Sequence, residues 1–570
     1  MKKKRPYILL LVFLATLVGS AALGGNIRFS KHNLSISGPG EIKAASETEI
    51  CIFCHTPHNS RRDIPYLWNR QDQTVSYIPY QSSTLYATVG QPTGASKLCL
   101  SCHDGTIAFG ATLSGSQEIA FQGGIRFLPV DHAARLGTDL SDDHPVSFRY
   151  DSDLARQNLE LNDPALLPPE IAVRDGRLQC TACHDPHDDT FGRFLVMPNQ
   201  FSKLCTSCHA IVGWPLSSHS LSSARWNGQP MNPWPNSNFH TVAENGCQNC
   251  HRPHTAPRPE RLLNHVFEED NCLVCHNGNV ALMNIEAEIT KSFSHAVQDF
   301  TGIHDAAERF STGGMPRHVE CEDCHNPHQA NEDAPSGAGR VSGANIGVTG
   351  IDAGGSQVSR SQSLYEICFK CHGDNNVLNR LSITRQIDQL NTRLEFDPGN
   401  PSFHPVESVG INADVPSLLP PNTIFSIISC IDCHNSDDPN GPRGPHGSSI
   451  EFLLERNYVT LDYSVESASN YAMCYKCHSQ DSILGNQSFP EHNKHIVEEN
   501  TPCSVCHDPH GISNTQGNPF NNSHLINFDI TVVFPIGQGA PRFEDLGRFA
   551  GQCFLTCHGA EHNPERYPEN

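Results

Sequence analysis

All 24 cysteines of this 570-residue chain belong to one repeated motif. Eleven copies read Cys-x-x-Cys-His, and the last copy has one extra residue, Cys553-Phe-Leu-Thr-Cys557-His558. A chain that commits every thiol to one pattern has to fold around whatever that pattern binds. We number the copies as sites 1 to 12 in chain order. Their cysteines are Cys51 and Cys54, Cys99 and Cys102, Cys180 and Cys183, Cys205 and Cys208, Cys247 and Cys250, Cys272 and Cys275, Cys321 and Cys324, Cys368 and Cys371, Cys430 and Cys433, Cys474 and Cys477, Cys503 and Cys506, and Cys553 and Cys557.

The order of residues in the motif is typical of covalent haem attachment. Each thiol can add to a vinyl group of the porphyrin, and the histidine that follows then lies under the iron as its proximal ligand. Zinc sites and disulfides are the alternatives, but neither gives a reason for a histidine directly after every second cysteine. The sequence therefore predicts about twelve covalently bound haem c groups.

The predicted proximal ligands are the motif histidines His55, His103, His184, His209, His251, His276, His325, His372, His434, His478, His507 and His558. Site 12 differs from the others because its two cysteines are separated by three residues. This insertion is compatible with haem attachment. The alternatives for site 12 are that it stays unoccupied or that its cysteines form a disulfide.

The composition fits a chain that builds its interior from cofactors. Only 37% of the residues are hydrophobic, with 43 Gly, 40 Pro and a mean hydropathy of -0.40. Twelve haems amount to one per about 46 residues, a density at which porphyrins can replace much of the usual apolar core. We therefore predict a mostly irregular coil with short α-helices wrapped around a covalently bound haem chain, and very little β-structure.

The N-terminus predicts export. Lys2 to Arg5 precede an apolar run from Tyr7 to Leu23, and Ser20-Ala21-Ala22 near its end are the small residues that a signal peptidase reads, so residues 1–22 are predicted to be a signal peptide. An uncleaved single-helix anchor is the alternative. The expected location is the periplasm or the outer cell surface, with no membrane span after signal removal. The formal net charge of -22 argues against nucleic acid as a partner.

The sites form doublets, because odd-numbered sites carry a second histidine soon after the motif, usually as Pro-His. We call these residues the clamp histidines; they are His58, His187, His254, His328, His446 and His510. A clamp histidine three residues after the proximal one cannot easily wrap round its own porphyrin, so we expect it to reach a neighbouring haem. Six two-haem units are predicted, over residues 23–130, 131–225, 226–290, 291–385, 386–485 and 486–570.

A second class of histidine precedes the odd sites, mostly as His-x-Val. We call these the leading histidines; they are His32, His144, His240, His295, His404 and His495. His318 competes with His295 in the fourth unit. The two classes supply twelve histidines for twelve irons, which predicts two histidine ligands at every iron and low reduction potentials, since methionine ligands would raise them. No role is predicted for His132, His219, His265, His304, His318, His492, His524 and His562.

Several segments resemble a known group of proteins. These are Lys31-His32-Asn-Leu-Ser35 before Cys51-Ile-Phe-Cys-His-Thr-Pro-His58, the His-Pro-Val elements at His144 and His404, and Arg317-His318-Val-Glu-Cys321 with the clamp His328. The chain resembles the multihaem c-type cytochromes with doubled motifs, among them the outer-surface cytochromes of metal-reducing bacteria. The resemblance implies periplasmic or extracellular electron transport with closely packed haems and other redox proteins, such as cytochromes, as partners. Some members of this group polymerise into conductive filaments, so the resemblance also brings in a homopolymer as a partner state.

Two classes of function remain. An electron carrier needs every iron closed by two protein ligands, whereas a multihaem reductase of a small oxyanion must keep one iron open to its substrate. The sequence has no Cys-x-x-Cys-Lys site and has enough histidines to close every iron. We therefore predict a twelve-haem electron-transfer protein and not an enzyme. An electron reservoir is a third interpretation that the sequence does not separate from a carrier.

Overall fold

A computed structural model of the chain describes residues 26–62, 64, 66–304, 318–374 and 383–567. The predicted signal peptide lies outside these residues. The fold divides into two compact units. The first comprises Met1–Asn199, Lys203–Ala210 and Pro253–Thr255 and holds sites 1 to 4, and the second comprises Gln200–Ser202, Ile211–Arg252 and Ala256–Asn570 and holds sites 5 to 12. The finer division into six two-haem units stays a prediction.

The described chain is mostly coil interrupted by short helices, which confirms the predicted fold class. The longest helix has 10 residues. Besides short 3-10 turns and one π-helical turn at Lys494–Glu498 among the described residues, the α-helices are α1 Gly94–His103, α2 Ser152–Gln157, α3 Lys203–Cys208, α4 Ser218–Leu221, α5 Val242–Asn245, α6 Glu268–Leu273, α7 Ile285–Ile289, α8 Cys321–Cys324, α9 Leu364–His372, α10 Thr392–Glu395, α11 Gln480–Leu484 and α12 Cys503–Cys506. No helix among the described residues is long and apolar enough to cross a bilayer.

Most of the motifs sit on helical turns. At odd sites a single turn begins near the first cysteine, as at Cys51–Phe53 and Cys180–Ala182, whereas sites 2 and 8 end the longer helices α1 and α9. Within the motif the backbone N–H of the histidine donates to the carbonyl of the first cysteine, for example from His55 to Cys51 at 2.8 Å. This four-residue reach is the hydrogen bond of an α-helix. It brings the histidine back over the turn that carries both thiols.

Strands are few and short. They are β1 Phe293–Ser294, β2 Gly350–Ile351, β3 Gln357–Val358, β4 Ser402–Phe403, β5 Gly447–Ser448, β6 Gly511–Ile512, β7 Val533–Phe534, β8 Arg542–Asp545, β9 Gly551–Cys557 and β10 Ala560–Tyr567. Three antiparallel pairs form, β1 with β5, β2 with β3 and β4 with β6. In the one larger sheet, β9 pairs with β10 on one side and with β7 and β8 on the other. Site 12 lies on β9, so its local structure differs from that of a helical turn.

The apolar core is divided into small clusters beside the motif cysteines. In the first unit one cluster is Ala44, Phe53, Phe109, Phe121 and Leu128, with Cys54 and Cys102 packed against it. In the second unit another is Val505, Phe528, Val533, Phe543, Leu555 and Tyr567, in contact with Cys506, Cys553 and Cys557. Each cluster is too small to stabilise a unit of this size by itself. The clusters therefore hold the attachment turns in place and leave much of the interior to be filled by the predicted cofactors.

Candidate haem sites

Eleven of the twelve motif histidines face a second histidine ring at nearly the same distance. The pairs are His55 with His187, His103 with His32, His184 with His254, His209 with His144, His251 with His328, His276 with His219, His325 with His446, His372 with His295, His434 with His510, His478 with His404 and His507 with His492. Their ring centroids lie 6.0 to 6.5 Å apart. Such a constant spacing in pairs far apart in sequence indicates a common object between the rings.

The spacing matches two imidazoles on one metal ion. A metal–imidazole bond is about 2 Å long and the bonded nitrogen lies roughly 1.1 Å from its ring centre, so two rings on opposite sides of one ion are roughly 6.2 Å apart. All 24 cysteines are free thiols and not disulfides, so each pair has two thiols available on its motif. Among the described residues, no group of three or more His, Cys, Asp or Glu side chains is arranged to hold a metal ion.

The clamp histidines connect one doublet to the next. Five of the six face the motif histidine of the preceding odd site, so that His187 of site 3 faces His55 of site 1, and His328 of site 7 faces His251 of site 5. None of the pairs joins a clamp histidine to its own motif. His58 belongs to the first odd site, is exposed, and faces none of the described histidine rings at this distance.

The leading histidines face the even site of their own doublet, as His32 faces His103 and His404 faces His478. His240 does not follow this rule. Thr241 and Glu244 form a capping box that starts α5 and holds the backbone at His240, whose ring is left exposed. The structure instead places His219 opposite His276 of site 6.

Two of the histidines that face a motif histidine, His219 and His492, had no predicted role. A sequence signal for His219 exists, because His219-Ser-Leu-Ser repeats the pattern His32-Asn-Leu-Ser. No comparable pattern marks His492, which faces His507 of site 11. In the fourth unit the leading histidine His295 faces the motif His372.

His318, the competitor of His295, has its ring centroid 6.2 Å from that of His304. Neither residue of this pair belongs to a motif, and the structure does not bring His318 opposite a motif histidine. His132 and His265 face none of the described histidine rings.

Hydrogen bonds at Nδ1 determine which nitrogen of a histidine ring points into the gap, the space between two facing histidine rings. At all six odd sites the Nδ1–H of the motif histidine donates to a backbone carbonyl, at 2.6 to 2.9 Å; the acceptors are Tyr66, Arg193, Arg261, Ala344, Phe452 and His524. The ring of the leading His32 is held in the same way by Pro186, and that of His219 by Pro327, both at 2.9 Å. These prolines directly precede clamp histidines. An engaged Nδ1 leaves Nε2 of the same ring free to bind a metal.

Five of these six carbonyl acceptors, all except Ala344, share an unusual backbone. Each belongs to the first of two successive non-glycine residues with positive φ, for example Arg261 at 61° and Leu262 at 53°. Residues other than glycine adopt this left-handed conformation rarely, and it costs free energy. A strained pair of residues that recurs at five sites indicates that holding the motif histidine outweighs the strain.

Burial keeps several of the paired rings neutral at neutral pH. It lowers the pKa of His276 and of His328 to about 4, and that of His492 to about 3. A metal binds the neutral form of imidazole, so these three rings are in the protonation state that ligation needs.

Two clamp histidines have a carboxylate within hydrogen-bonding distance of Nδ1. Nδ1 of His254 lies 3.0 Å from Asp143, and Nδ1 of His510 lies 3.0 Å from the buried Glu395. Burial lowers the pKa of His510, but its hydrogen bond to Glu395 and the charge of that residue outweigh burial and raise it to about 9. A carboxylate on Nδ1 makes an imidazole a more basic ligand.

We expect Glu395→Gln to raise the reduction potential of one haem, the one at site 9. A neutral acceptor stabilises the ferric state less than a carboxylate does. The shift should be on the order of tens of millivolts, since about 59 mV corresponds to a tenfold change for one electron. Spectropotentiometric titration measures it. Glu451→Gln, at an exposed residue near the same site, is the control, and an equal shift in both variants would contradict the assignment to Glu395.

Neighbouring sites meet at their cysteines. The Cys99 thiol of site 2 contacts Cys180 of site 3, and this contact together with burial raises its pKa. The same contact of first cysteines joins sites 6 and 7, 8 and 9, and 10 and 11. Within each doublet the thiols also lie within electrostatic reach of each other, as Cys54 does of Cys102. Inside each compact unit, consecutive sites are therefore neighbours in space.

At site 12 the motif histidine has a different environment. His558 faces no histidine ring among the described residues, and its Nε2 lies 3.0 and 3.1 Å from the two carboxylate oxygens of Asp462. The leading histidine of this doublet, His495, instead faces His562 at 6.3 Å.

Comparisons with known proteins agree with the geometry. Residues 172–212 and 240–281, which contain sites 3 to 6, match the family described as the doubled CXXCH motif. The chain is also similar to the multiheme cytochrome MtrA of Shewanella baltica (strain OS185), with 24% identity over 208 residues, or 35% of this chain. The match spans 43% of that protein, less than half of its length. The repeated motif, the family match over sites 3 to 6 and this relative show that the chain is similar to multihaem c-type cytochromes, in which such motifs attach haem covalently.

Proposed function

We propose that this cytochrome binds about twelve haems, each held by two histidines, and carries electrons along them at low potential in periplasmic or extracellular respiration. The supporting observation is the set of eleven motif histidines that each face another imidazole at 6.0 to 6.5 Å. When bound, each haem supplies a one-electron ferric–ferrous couple. The paired imidazoles would hold each iron, and ligation by histidine without methionine would keep the reduction potential low.

The donor set at these sites fits haem c. Burial keeps rings such as those of His276 and His328 neutral, so that they can bind a metal, and two free thiols lie on each motif. Within each unit the thiols of successive sites are in contact or within electrostatic reach. Because thioethers lie at the porphyrin edge, adjacent thiols support a series of haems whose edges approach each other. Such a series is what electron transport through the chain requires.

The competing function is reduction of a small oxyanion at an open iron. One observation favours it, because His558 of site 12 has a carboxylate where the other motif histidines have an imidazole. An iron at site 12 ligated by His558 alone would leave one position for substrate.

The acidic surface bears on the partners. With a formal net charge of -22, the chain should attract cationic redox proteins or acceptors, by an interaction that weakens with salt. Other cytochromes are the partners that the multihaem relatives suggest. Export to the periplasm or the outer surface rests on the basic and apolar N-terminal segment.

The function is tested by mixing fully reduced protein with each oxidant under anaerobic conditions. Ferric complexes should oxidise all the haems stoichiometrically, and small basic electron carriers should react fast with a rate that falls as ionic strength rises. Nitrite, hydroxylamine and tetrathionate should give no saturable turnover. Multi-turnover reduction of any of these three, abolished by cyanide, would contradict the proposal and establish a reductase.

A further inference from the structure

Site 12 has its motif histidine in a turn. His558 and Gly559 join β9 to β10, with φ of 48° and 80°, and two positive φ values define the tight type I′ turn of a hairpin. The His558 ring is stacked on Tyr463 with centroids 4.3 Å apart and is 9% exposed. Its Nε2–H donates to both carboxylate oxygens of Asp462. The nitrogen that would bind iron at the other sites therefore donates here to a carboxylate.

A second histidine lies on the strand opposite the two cysteines. Side chains alternate along a strand, so Cys553, Leu555 and Cys557 share one face of β9. In the hairpin His562 is directly opposite Leu555, and opposite residues of an antiparallel pair point to the same face. His562 is thus on the face that carries both thiols, at the position midway between them.

His495, the residue whose ring faces His562, has its Nε2 atom available to bind a metal. His495 lies 6.3 Å from His562, between centroids, with the ring planes 28° apart. Its Nδ1–H donates to the carbonyl of Glu491 at 2.8 Å, so Nε2 is the available nitrogen.

The order of the doublets assigns this pair to site 12. In the other doublets a leading histidine that faces a motif ring faces the one at the even site, as His32 does at site 2 and His404 at site 10. By the same rule His495 belongs to site 12, yet the ring it faces is His562 and not His558. The other ring of the last doublet, His507 of site 11, faces His492.

We propose that the twelfth haem is attached through Cys553 and Cys557 and ligated by His562 and His495, while His558 stays bound to Asp462 as a structural residue of the turn. Attachment adds each thiol S–H across a vinyl C=C bond, which forms one C–S and one C–H bond and needs no oxidant. This proposal rests on the proposed function, because it closes the one motif site that otherwise offers an open iron. It replaces the predicted role of His558 as proximal ligand.

The test compares His562→Ala with His558→Asn. Asparagine tolerates positive φ and can still donate to Asp462. We expect both variants to keep twelve haems by intact mass. In His562→Ala about one haem in twelve should become high-spin in ferric electron paramagnetic resonance and optical spectra, whereas His558→Asn should keep the wild-type spectrum. His495→Ala is the positive control, with the same new high-spin haem as His562→Ala.

An unchanged low-spin spectrum in His562→Ala would overturn the proposal. A high-spin or missing twelfth haem in His558→Asn would overturn it as well. Failure of the proposed function is distinguishable, because it would appear as high-spin haem or oxyanion turnover in the unmodified protein. The present proposal is judged only by the change from that protein to each variant.

Discussion

Replacing His187 or His328 by alanine is expected to leave every haem attached and to open one iron in each variant. His187 faces His55 of site 1 and His328 faces His251 of site 5, each at 6.1 Å. The thioether bonds do not involve these rings, so the intact mass should lose only the imidazole. About one haem in twelve should become high-spin and bind cyanide or carbon monoxide, as measured by optical titration.

The first odd site provides a matched control. His58 occupies the same Pro-His position as His187 and His328, but it is exposed and faces no histidine ring in the described part of the chain. His58→Ala should therefore keep the spectrum and the ligand binding of the unmodified protein. Unchanged low-spin spectra in both His187→Ala and His328→Ala would show that the clamp histidines are not ligands.

Arg70→Met should strongly destabilise the first compact unit. The Arg70 side chain is fully buried, and its guanidinium donates to the carbonyls of Phe109 and Ala108 at 2.9 and 2.8 Å, and to those of Ser101 and Ile107 at 3.4 Å. Methionine has a similar volume but leaves these carbonyls without a donor. We expect the free energy of unfolding to fall by at least about 3 kcal/mol, because each buried unsatisfied group costs about 1–3 kcal/mol.

The loss of stability is measured as a shift in the midpoint of guanidinium unfolding, which is monitored by circular dichroism and by the Soret band. Arg126→Gln is the control, because Arg126 forms an exposed ion pair with Glu118 at 2.6 Å and such pairs contribute little to stability. Its unfolding midpoint should not change. Equal midpoints for Arg70→Met and the unmodified protein would show that these buried hydrogen bonds are not needed.

The attachment motifs and the coil-rich fold could be predicted because their causes are local. Cys51 and His55 lie in one turn, and the low apolar content follows from composition alone. The ligand pairs are non-local, so a pattern such as His-x-Val identifies candidates but not partners. His240 matched the pattern, yet the capping box of Thr241 and Glu244 leaves its ring exposed, and His219 takes the position opposite His276.

Site 12 shows a second limit of the sequence. Its motif differs from the others by one residue, which gave no reason to expect a strand. The extra residue lets Cys553 and Cys557 lie on the same face of β9, and the turn that follows carries His558 away from that face. The left-handed residue pairs, such as Arg261 and Leu262, were equally hidden, because their strain is compensated by a hydrogen bond to a residue ten positions away.

The exchange of clamp histidines between doublets has a consequence for how the protein comes apart. When one doublet opens, the preceding odd site loses the ring opposite its motif histidine, and a leading histidine such as His32 loses its carbonyl acceptor at Pro186. The free energy of unfolding one doublet therefore includes contacts that its neighbour loses at the same time. Although its apolar clusters are small, each compact unit should behave as one large cooperative unit in hydrogen exchange, with little independent opening of single doublets.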